Sequence, residues 1–236
     1  AGQQLPYVDD VIINVTSSGL VPAKTGSGES DLQARYLRLD NFTFLKEGEQ
    51  SNNFKVNIWG TGRGAHMALY PNLNAKSFKW RKLMQTADFR RALSVAVNRE
   101  EINQVVYFGL AIEMANTVLP DGPLYKEKYA KAFAQYDPEL ANKLLDSIGL
   151  DKKDSHGIRL FADGSRVEIL VQTAGESTEE TDVLSLVKDS WHKVGIQMYV
   201  KPTQREVLRN RVFSGDALMT TWFGLPNGLP VAQMSP

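Results

Sequence analysis

The chain has 236 residues, of which 42% are hydrophobic, 23% are charged and none is cysteine. Its 27 basic and 27 acidic side chains balance, so it lacks the excess positive charge typical of nucleic-acid-binding proteins. The absence of cysteine excludes disulfides, thiolate zinc sites and a cysteine nucleophile. No apolar run approaches the ~20 residues of a membrane span, and the N-terminal sequence AGQQLPYVDDV lacks the pattern of a signal peptide.

The N-terminal part of the chain is predicted to be mainly β-structure. Alternating or β-branched apolar residues predict strands over residues 8–15 and 54–59. Between them, residues 22–28 begin with proline and end with glycine, which predicts a loop. Residues 29–39 predict a short helix.

Capped amphipathic helices are predicted from residue 88 onward. Asp88 is placed to cap a helix with an apolar stripe formed by Phe89, Ala92, Leu93 and Ala96. Asn98, with an acid three residues later, is placed to cap a second helix. Asp137, followed by proline, begins a third helix, which Gly149 ends.

Strands and helices alternate in the last part of the chain. Ser177 and Glu180 form a capping box that opens a helix, and residues 204–213 predict another helix. Three apolar runs predict strands, over residues 166–173, 196–200 and 217–222. The order strand–helix–strand–helix–strand predicts a mostly parallel sheet.

The groups that could act in catalysis or bind metal are scattered. His66, His156 and His192 have no histidine three or four residues away, so no helical metal pair is present. A structural or surface role is the more typical one, and His192 is expected to be exposed to solvent. Neighbouring acids diverge in strands and helices alike, and no Gly-x-Ser-x-Gly nucleophile motif is present. The sequence therefore predicts no catalytic residue, no metal site and no cofactor.

A glycine-rich segment matches the Gly-x-Gly-x-x-Ala pattern of dinucleotide-binding loops through Gly60, Gly62 and Ala65. Such a loop is followed by a long helix that holds the pyrophosphate at its N-terminus. Here Pro71 follows six residues later, and no acid stands about 20 residues on. We interpret the segment as a connector, and a nucleotide-dependent enzyme that uses it is the alternative.

The candidate ligand-binding residues lie mainly where the last predicted strand ends. Ligands of α/β proteins bind at the carboxyl ends of strands, and aromatic side chains there can stack on apolar or sugar faces. A core position for Trp222 is the alternative interpretation. The predicted ligand-binding residues are Trp222, Phe223, Gly224, Leu225, Asn227 and, from another part of the chain, Tyr70.

Several segments carry the motifs of one protein family in the same order. Residues 88–109 contain Phe-Arg-x-Ala-Leu and Ala-Val-Asn-Arg-Glu motifs, and residues 136–150 contain an Asp-Pro-Glu-Leu-Ala motif. Through these motifs the chain resembles the extracytoplasmic solute-binding proteins of the oligopeptide/dipeptide ABC-importer family (family 5). Shorter matching motifs occur at residues 6–9, 28–31, 157–164, 194–196 and 213–216.

The resemblance implies a fold and a domain organisation. The expected fold is α/β, of the periplasmic-binding-protein type II class, and incomplete because it is truncated at both ends. Residues 1–67 would form a β-rich part of lobe I, and residues 68–236 would form lobe II, truncated at its C-terminus. A hinge near residues 63–72 would close such lobes on a ligand.

The resemblance also implies a function without catalysis. The chain would be the ligand-binding component of an ABC importer, periplasmic or extracytoplasmic, that captures an oligopeptide or similar small solute and delivers it to the permease subunits. Peptide-binding relatives have aspartate at the position of Leu225, and some have arginine at that of Met219. An oligosaccharide contacted by Trp222 and Asn227 is therefore the alternative ligand. A sensor module that contacts a membrane receptor is a further alternative.

Overall fold

The computed structural model describes residue 2 and residues 4–227, and the chain divides into two compact units between residues 58 and 59. This division precedes the predicted domain boundary at residue 67. The assignment of the two parts to lobe I and lobe II stays a prediction.

The first unit contains two packed helices, Val21–Gly26 (α1) and Phe42–Asn52 (α2). A hydrogen bond of 2.9 Å from Asn52 Nδ2 to the Gly26 carbonyl joins the two helices. A β-carbon at Gly48 would lie 3.0 Å from the same carbonyl oxygen. The contact between α1 and α2 therefore depends on a residue without a side chain at this position.

The two strands predicted for the N-terminal part do not form. Residues 8–15 have no strand partner among the described residues, and backbone groups without a partner strand are left to water. Residues 54–59 are also irregular, and the first part of this segment is hydrogen-bonded to α2 and not to a strand. The Glu49 carboxylate accepts a hydrogen bond from the Val56 amide at 2.5 Å. The apolar side chains that remain exposed include Val11, Ile12, Ile13, Val15 and Ile58.

The loop and the helix predicted between these strands are also wrong. Residues 22–28 lie largely in α1, where Pro22 occupies the first turn and the Thr25 hydroxyl donates to the Val21 carbonyl at 2.8 Å. Proline is compatible with this position because the amides of the first turn have no intrahelical partner. Residues 29–39 contain no α-helix.

The second unit is built on a four-stranded mixed sheet. Its strands in chain order are Ala68–Pro71 (β1), Glu168–Thr173 (β2), Gln197–Pro202 (β3) and Met219–Trp222 (β4). In space the order is β1-β4-β2-β3. Strand β2 runs parallel to both β3 and β4, whereas β1 is antiparallel to β4. The predicted parallel arrangement is confirmed, and β1 adds an edge strand that the sequence pattern did not indicate.

Side-chain caps begin several helices of this unit. Asn98, Asp137 and Ser177 each accept a hydrogen bond from the amide three residues on, as predicted. Asp88 does not cap its helix, which begins one residue earlier; it lies in the first turn and pairs with Arg91 at 2.8 Å. The helices described in the unit are Phe78–Gln85 (α3), Ala87–Val95 (α4), Arg99–Tyr107 (α5), Glu127–Ala130 (α6), Pro138–Ser147 (α7), Thr178–Lys193 (α8) and Arg205–Phe213 (α9).

The hydrophobic core joins the sheet to α4, α5, α7 and α8. Trp191 of α8 is 1% exposed, and its indole N–H donates to the Leu93 carbonyl of α4 at 3.0 Å. Phe89, Ala92 and Ala96, from the predicted apolar stripe, are fully buried in the same cluster. Burial of each large apolar side chain stabilises the fold by about 1.5–3 kcal/mol. The core therefore holds α4 and α8 on one face of the sheet.

Candidate functional site

A short antiparallel ladder continues the β1–β4 pair past the ends of both strands. Residues 223–227, which follow β4, pair with residues 61–65, which precede β1. The Gly64 amide donates to the Leu225 carbonyl at 2.8 Å, and two further amide–carbonyl bonds continue the ladder. The segment that carries most of the predicted ligand-binding residues is thus fixed at the carboxyl end of β4.

The glycines of this ladder allow close packing. A β-carbon at Gly64 would overlap the Thr117 carbonyl, and one at Gly224 would overlap the backbone nitrogen of Ala65. After residue 65 the chain continues into strand β1 and not into a helix, so residues 60–65 do not lead to a helix N-terminus that could hold a pyrophosphate. The alternative of a dinucleotide-binding loop is therefore wrong.

Tyr70 of β1 contacts the segment after β4 through its hydroxyl. This hydroxyl donates to the Phe223 carbonyl at 2.8 Å and accepts a hydrogen bond from Asn116 Nδ2 at 3.3 Å. Asn116 Oδ1 in turn accepts a hydrogen bond from the Leu225 amide at 2.9 Å. The structure thus brings Tyr70 to the other predicted site residues. Asn116 was missed because it lies in an irregular stretch and belongs to no motif.

Asn227 is tied to another part of the loop that follows α5. Its Oδ1 accepts a hydrogen bond from the Leu119 amide at 2.8 Å, and its Nδ2 donates to Asp121 at 2.8 Å. Its own amide donates to the Gly62 carbonyl at 2.6 Å. Both polar atoms of the Asn227 side chain are thus engaged within the protein, and its direct contact with a ligand stays a prediction.

Trp222 and Phe223 present aromatic surface to solvent. Their side chains are 42% and 46% exposed, and the two rings meet edge to face with centroids 5.7 Å apart. The guanidinium of Arg205 lies 5.5 Å from the Trp222 ring centroid, and that of Arg63 lies 3.9 Å from the Phe223 centroid. Trp222 is therefore not a core residue. The sequence analysis missed both arginines, which come from α9 and from the segment before β1.

The two positions at which the resemblance implies charged residues in peptide-binding relatives are apolar here and differ in burial. Leu225 is 40% exposed beside the aromatic pair, whereas Met219 is 1% exposed within the core. A ligand ammonium group at this segment would find no carboxylate at position 225. The hydrogen bonds and charges near Trp222 come from other elements.

Two of the glutamates around the start of α8 bond to groups of β4 and α9. The Glu180 carboxylate accepts a hydrogen bond from the Thr221 hydroxyl, and Glu176 forms an ion pair with Arg205. Burial raises the pKa of Glu180, the charge of Glu176 raises it further, and the bond from Thr221 opposes both effects. The end of β4 thus engages the Glu180 carboxylate through Thr221, and Arg205 engages the Glu176 carboxylate.

The histidines do not form a metal site. His192 is exposed, as predicted, and the His66 ring lies 5.4 Å from the ring of Tyr107. Within the described residues no group of three or more histidine, aspartate or glutamate side chains could hold a metal ion. The same part of the chain contains no helix long and apolar enough to cross a membrane.

Comparison with protein families decides the classification. The family described as "Bacterial extracellular solute-binding proteins, family 5 Middle" matches residues 2–234. The chain belongs to family 5 of the bacterial extracellular solute-binding proteins. The resemblance recognised from the sequence motifs is thereby confirmed.

Two curated relatives of this family 5 chain are about a quarter identical to it in sequence. A probable ABC transporter-binding protein of Deinococcus radiodurans is 25% identical over 205 residues, which cover 85% of this chain and 34% of the relative. A periplasmic alpha-galactoside-binding protein of Rhizobium meliloti is 24% identical over 220 residues, which cover 84% of this chain and 30% of the relative. The chain thus spans about a third of the length of these relatives.

Solved structures share the fold of the family 5 chain. An oligopeptide-binding protein, OppA, is 32% identical with a TM-score of 0.70, and the match covers 89% of this chain and 34% of that one. The periplasmic binding protein MelB of Agrobacterium fabrum, solved with stachyose, is 16% identical with a TM-score of 0.72, and the match covers 89% and 33%. The predicted α/β fold of the periplasmic-binding-protein type II class, incomplete relative to these proteins, is confirmed.

Proposed function

We propose that this chain is part of the ligand-binding component of an ABC importer. It captures an oligopeptide or similar small solute outside the cytoplasmic membrane and delivers it unchanged to the permease subunits. The observation that carries the proposal is the exposed aromatic pair Trp222 and Phe223 at the carboxyl end of β4, where α/β proteins bind ligands. Membership of family 5 supports the role in transport.

The proposed site uses its residues in two ways. Trp222, Phe223 and Leu225 offer exposed apolar surface on which the ligand stacks. Tyr70 and Asn227 hold this surface in place through their bonds to the loop after α5 and to the ladder. Gly224 lets the two segments of the ladder approach closely. The hinge predicted at residues 63–72 stays a prediction; these residues lie inside the second unit and are largely paired with β4 and its continuation.

An oligosaccharide is the second candidate ligand. Leu225 supplies no charge for an ammonium group, whereas the Arg205 guanidinium, which pairs with Glu176, lies 5.5 Å from the Trp222 ring centroid. An aromatic face combined with such donors and acceptors suits the apolar face and the hydroxyl groups of a sugar. The alpha-galactoside-binding relative supports this candidate.

We expect Trp222→Ala to weaken ligand binding by roughly 30-fold, because truncation of an aromatic anchor costs about 2 kcal/mol. The complete protein that carries this chain is titrated by calorimetry with a panel of tri- to pentapeptides and with linear and branched galactosides. Phe213→Ala, which removes an 80% exposed aromatic ring at the end of α9, is the matched control and is expected to bind as wild type. The ligand series that binds decides between the candidates. Folded protein that binds neither series, or binds equally well after Trp222→Ala, contradicts the proposal.

A further inference from the structure

A cavity of about 570 Å³ lies beside the aromatic pair, within the second unit. Its lining includes Arg63 and Gly64 from the ladder and Asn116 from the loop after α5. These residues also hold the segment after β4, because the Gly64 amide donates to the Leu225 carbonyl and Asn116 Oδ1 accepts a hydrogen bond from the Leu225 amide. The cavity and the exposed aromatic surface are therefore parts of one site.

The charged side chains that line the cavity are mainly basic. Three arginines, Arg63, Arg90 and Arg99, line it, and Glu113 is the one acid among the described lining residues. Arg90 and Arg99 donate to backbone carbonyls at 2.6 and 2.8 Å, which accept a hydrogen bond but carry no opposite charge. Burial lowers the pKa of Arg99, and the charge of Glu113 opposes this shift. The cavity thus has an excess of positive charge, although the whole chain is neutral.

Arg63 lies where the cavity meets the aromatic surface, and its side chain is exposed. Its Cζ lies over the Phe223 ring, 3.9 Å from the centroid. This cation–π contact holds the guanidinium in place without using its N–H donors in hydrogen bonds. Among the described residues no acidic side chain pairs with Arg63, whereas Arg205, the arginine beside Trp222, pairs with Glu176. The N–H groups of Arg63 are therefore the ones available to a solute.

We propose that Arg63 binds a carboxylate of the solute and thereby makes the site selective for anionic solutes. This role rests on the proposed function, because the solute must lie against the aromatic surface. A guanidinium and a carboxylate form two parallel, charge-assisted hydrogen bonds. The same site supplies no carboxylate at Leu225 for an ammonium group, so its charge favours an anion over a cation. The carboxylate can belong to the C-terminus of a peptide or to a sugar acid.

The test compares solutes that differ only in their carboxylates, by calorimetry on the complete protein that carries this chain. One pair is a tetrapeptide with a free C-terminus and the same peptide with a C-terminal amide. The other pair is a linear trigalacturonide and the corresponding neutral trigalactoside. In the pair that binds, the member with the carboxylate is expected to bind more tightly by roughly tenfold or more. High salt should reduce this preference, because it screens charges at an exposed arginine.

Variants of Arg63 assign the preference to this residue. Arg63→Gln removes the charge and should bring the two members of a pair within about twofold of each other. Arg63→Lys keeps a charge without the planar fork, so it should retain only part of the preference. It also covers the case in which Arg63→Gln does not fold, which circular dichroism checks. Arg209→Gln is the matched control, because Arg209 is an exposed arginine of α9 that does not line the cavity, and it should keep the full preference.

The outcomes separate the role of Arg63 from the proposed function. The proposal is overturned if folded wild type binds a neutral member as tightly as its carboxylate counterpart, or if the folded Arg63 variants keep the full preference. In either case, binding that Trp222→Ala weakens would leave the proposed solute site intact. Folded wild type that binds no member of either pair would contradict the proposed function itself, and the role of Arg63 with it.

Discussion

Glu180 shows how the fold changes the chemistry of a single residue. Its place in the first turn of α8 is the one where an acid balances the helix dipole. The fold also brings Thr221 to its carboxylate and partly buries it, and burial raises the pKa of Glu180 above its ordinary value. This rise in pKa exceeds the lowering caused by the hydrogen bond from Thr221. Ionisation of Glu180 is therefore less favourable in the folded chain than in the unfolded chain.

We expect Glu180→Gln to alter the pH dependence of stability. An acid with a raised folded pKa holds its proton more tightly in the folded chain, so its contribution to stability is full at low pH and falls as the pH rises from about 4.5 through the folded pKa. The variant lacks this loss, so its stability relative to wild type should be higher at pH 7 than at pH 4. Urea unfolding at both pH values measures the difference. Glu206→Gln, at an exposed position of α9, is the control, and a pH-independent difference for Glu180→Gln would refute the assignment.

At the scale of elements, local signals predicted the capped helices of the second unit well and the secondary structure of the first unit poorly. Asn98 and Asp137 cap α5 and α7 as predicted, because a cap needs only a side chain and an amide three residues away. Residues 8–15 have the composition of a strand, but a strand also needs a partner that composition does not supply. The ladder between residues 61–65 and 223–227 was missed for the same reason, since its two sides are far apart in sequence.

We expect Gly64→Ala to destabilise the chain by about 1–3 kcal/mol, the usual cost of overpacking. A β-carbon at this position would overlap the Thr117 carbonyl and push apart the ladder that carries the candidate site. Gly60→Ala is the matched control, because a β-carbon there meets no atom within 4 Å. Its stability should stay within about 0.5 kcal/mol of wild type or rise slightly. Thermal unfolding of the two variants checks this, and equal effects would show that the Gly64 contact is not tight.

At the scale of the whole molecule, buried apolar residues are distributed unequally between the two units. The connected hydrophobic core runs from Met84 to Met219 and lies entirely in the second unit. The buried apolar residues described in the first unit are Val21 and Leu45. Segments with few buried contacts open at low free-energy cost, whereas core strands open only with the whole fold.

Hydrogen exchange of this chain should follow that distribution. The amides of residues 8–15 are expected to exchange within seconds, because the segment belongs to no helix or strand and its apolar side chains are exposed. Amides of the central strand β2 should exchange slowest, since it is bonded to β3 and β4 on its two sides. Peptide-resolved mass spectrometry measures both. Protection of residues 8–15 comparable to that of β2 would contradict the description of this segment.

The sequence by itself determined the features that depend on neighbours along the chain. Helix caps, the alternation of strands and helices from β2 to β4, the family motifs and the position of Trp222 after a strand are all local patterns. Only the tertiary structure decided which distant residues meet that tryptophan and the segment after it: Asn116, Arg63 and Arg205 come from separate elements and share no motif. It also decided that the glycine-rich segment pairs with residues 223–227, because the register of a ladder depends on both strands and cannot be predicted from either one alone.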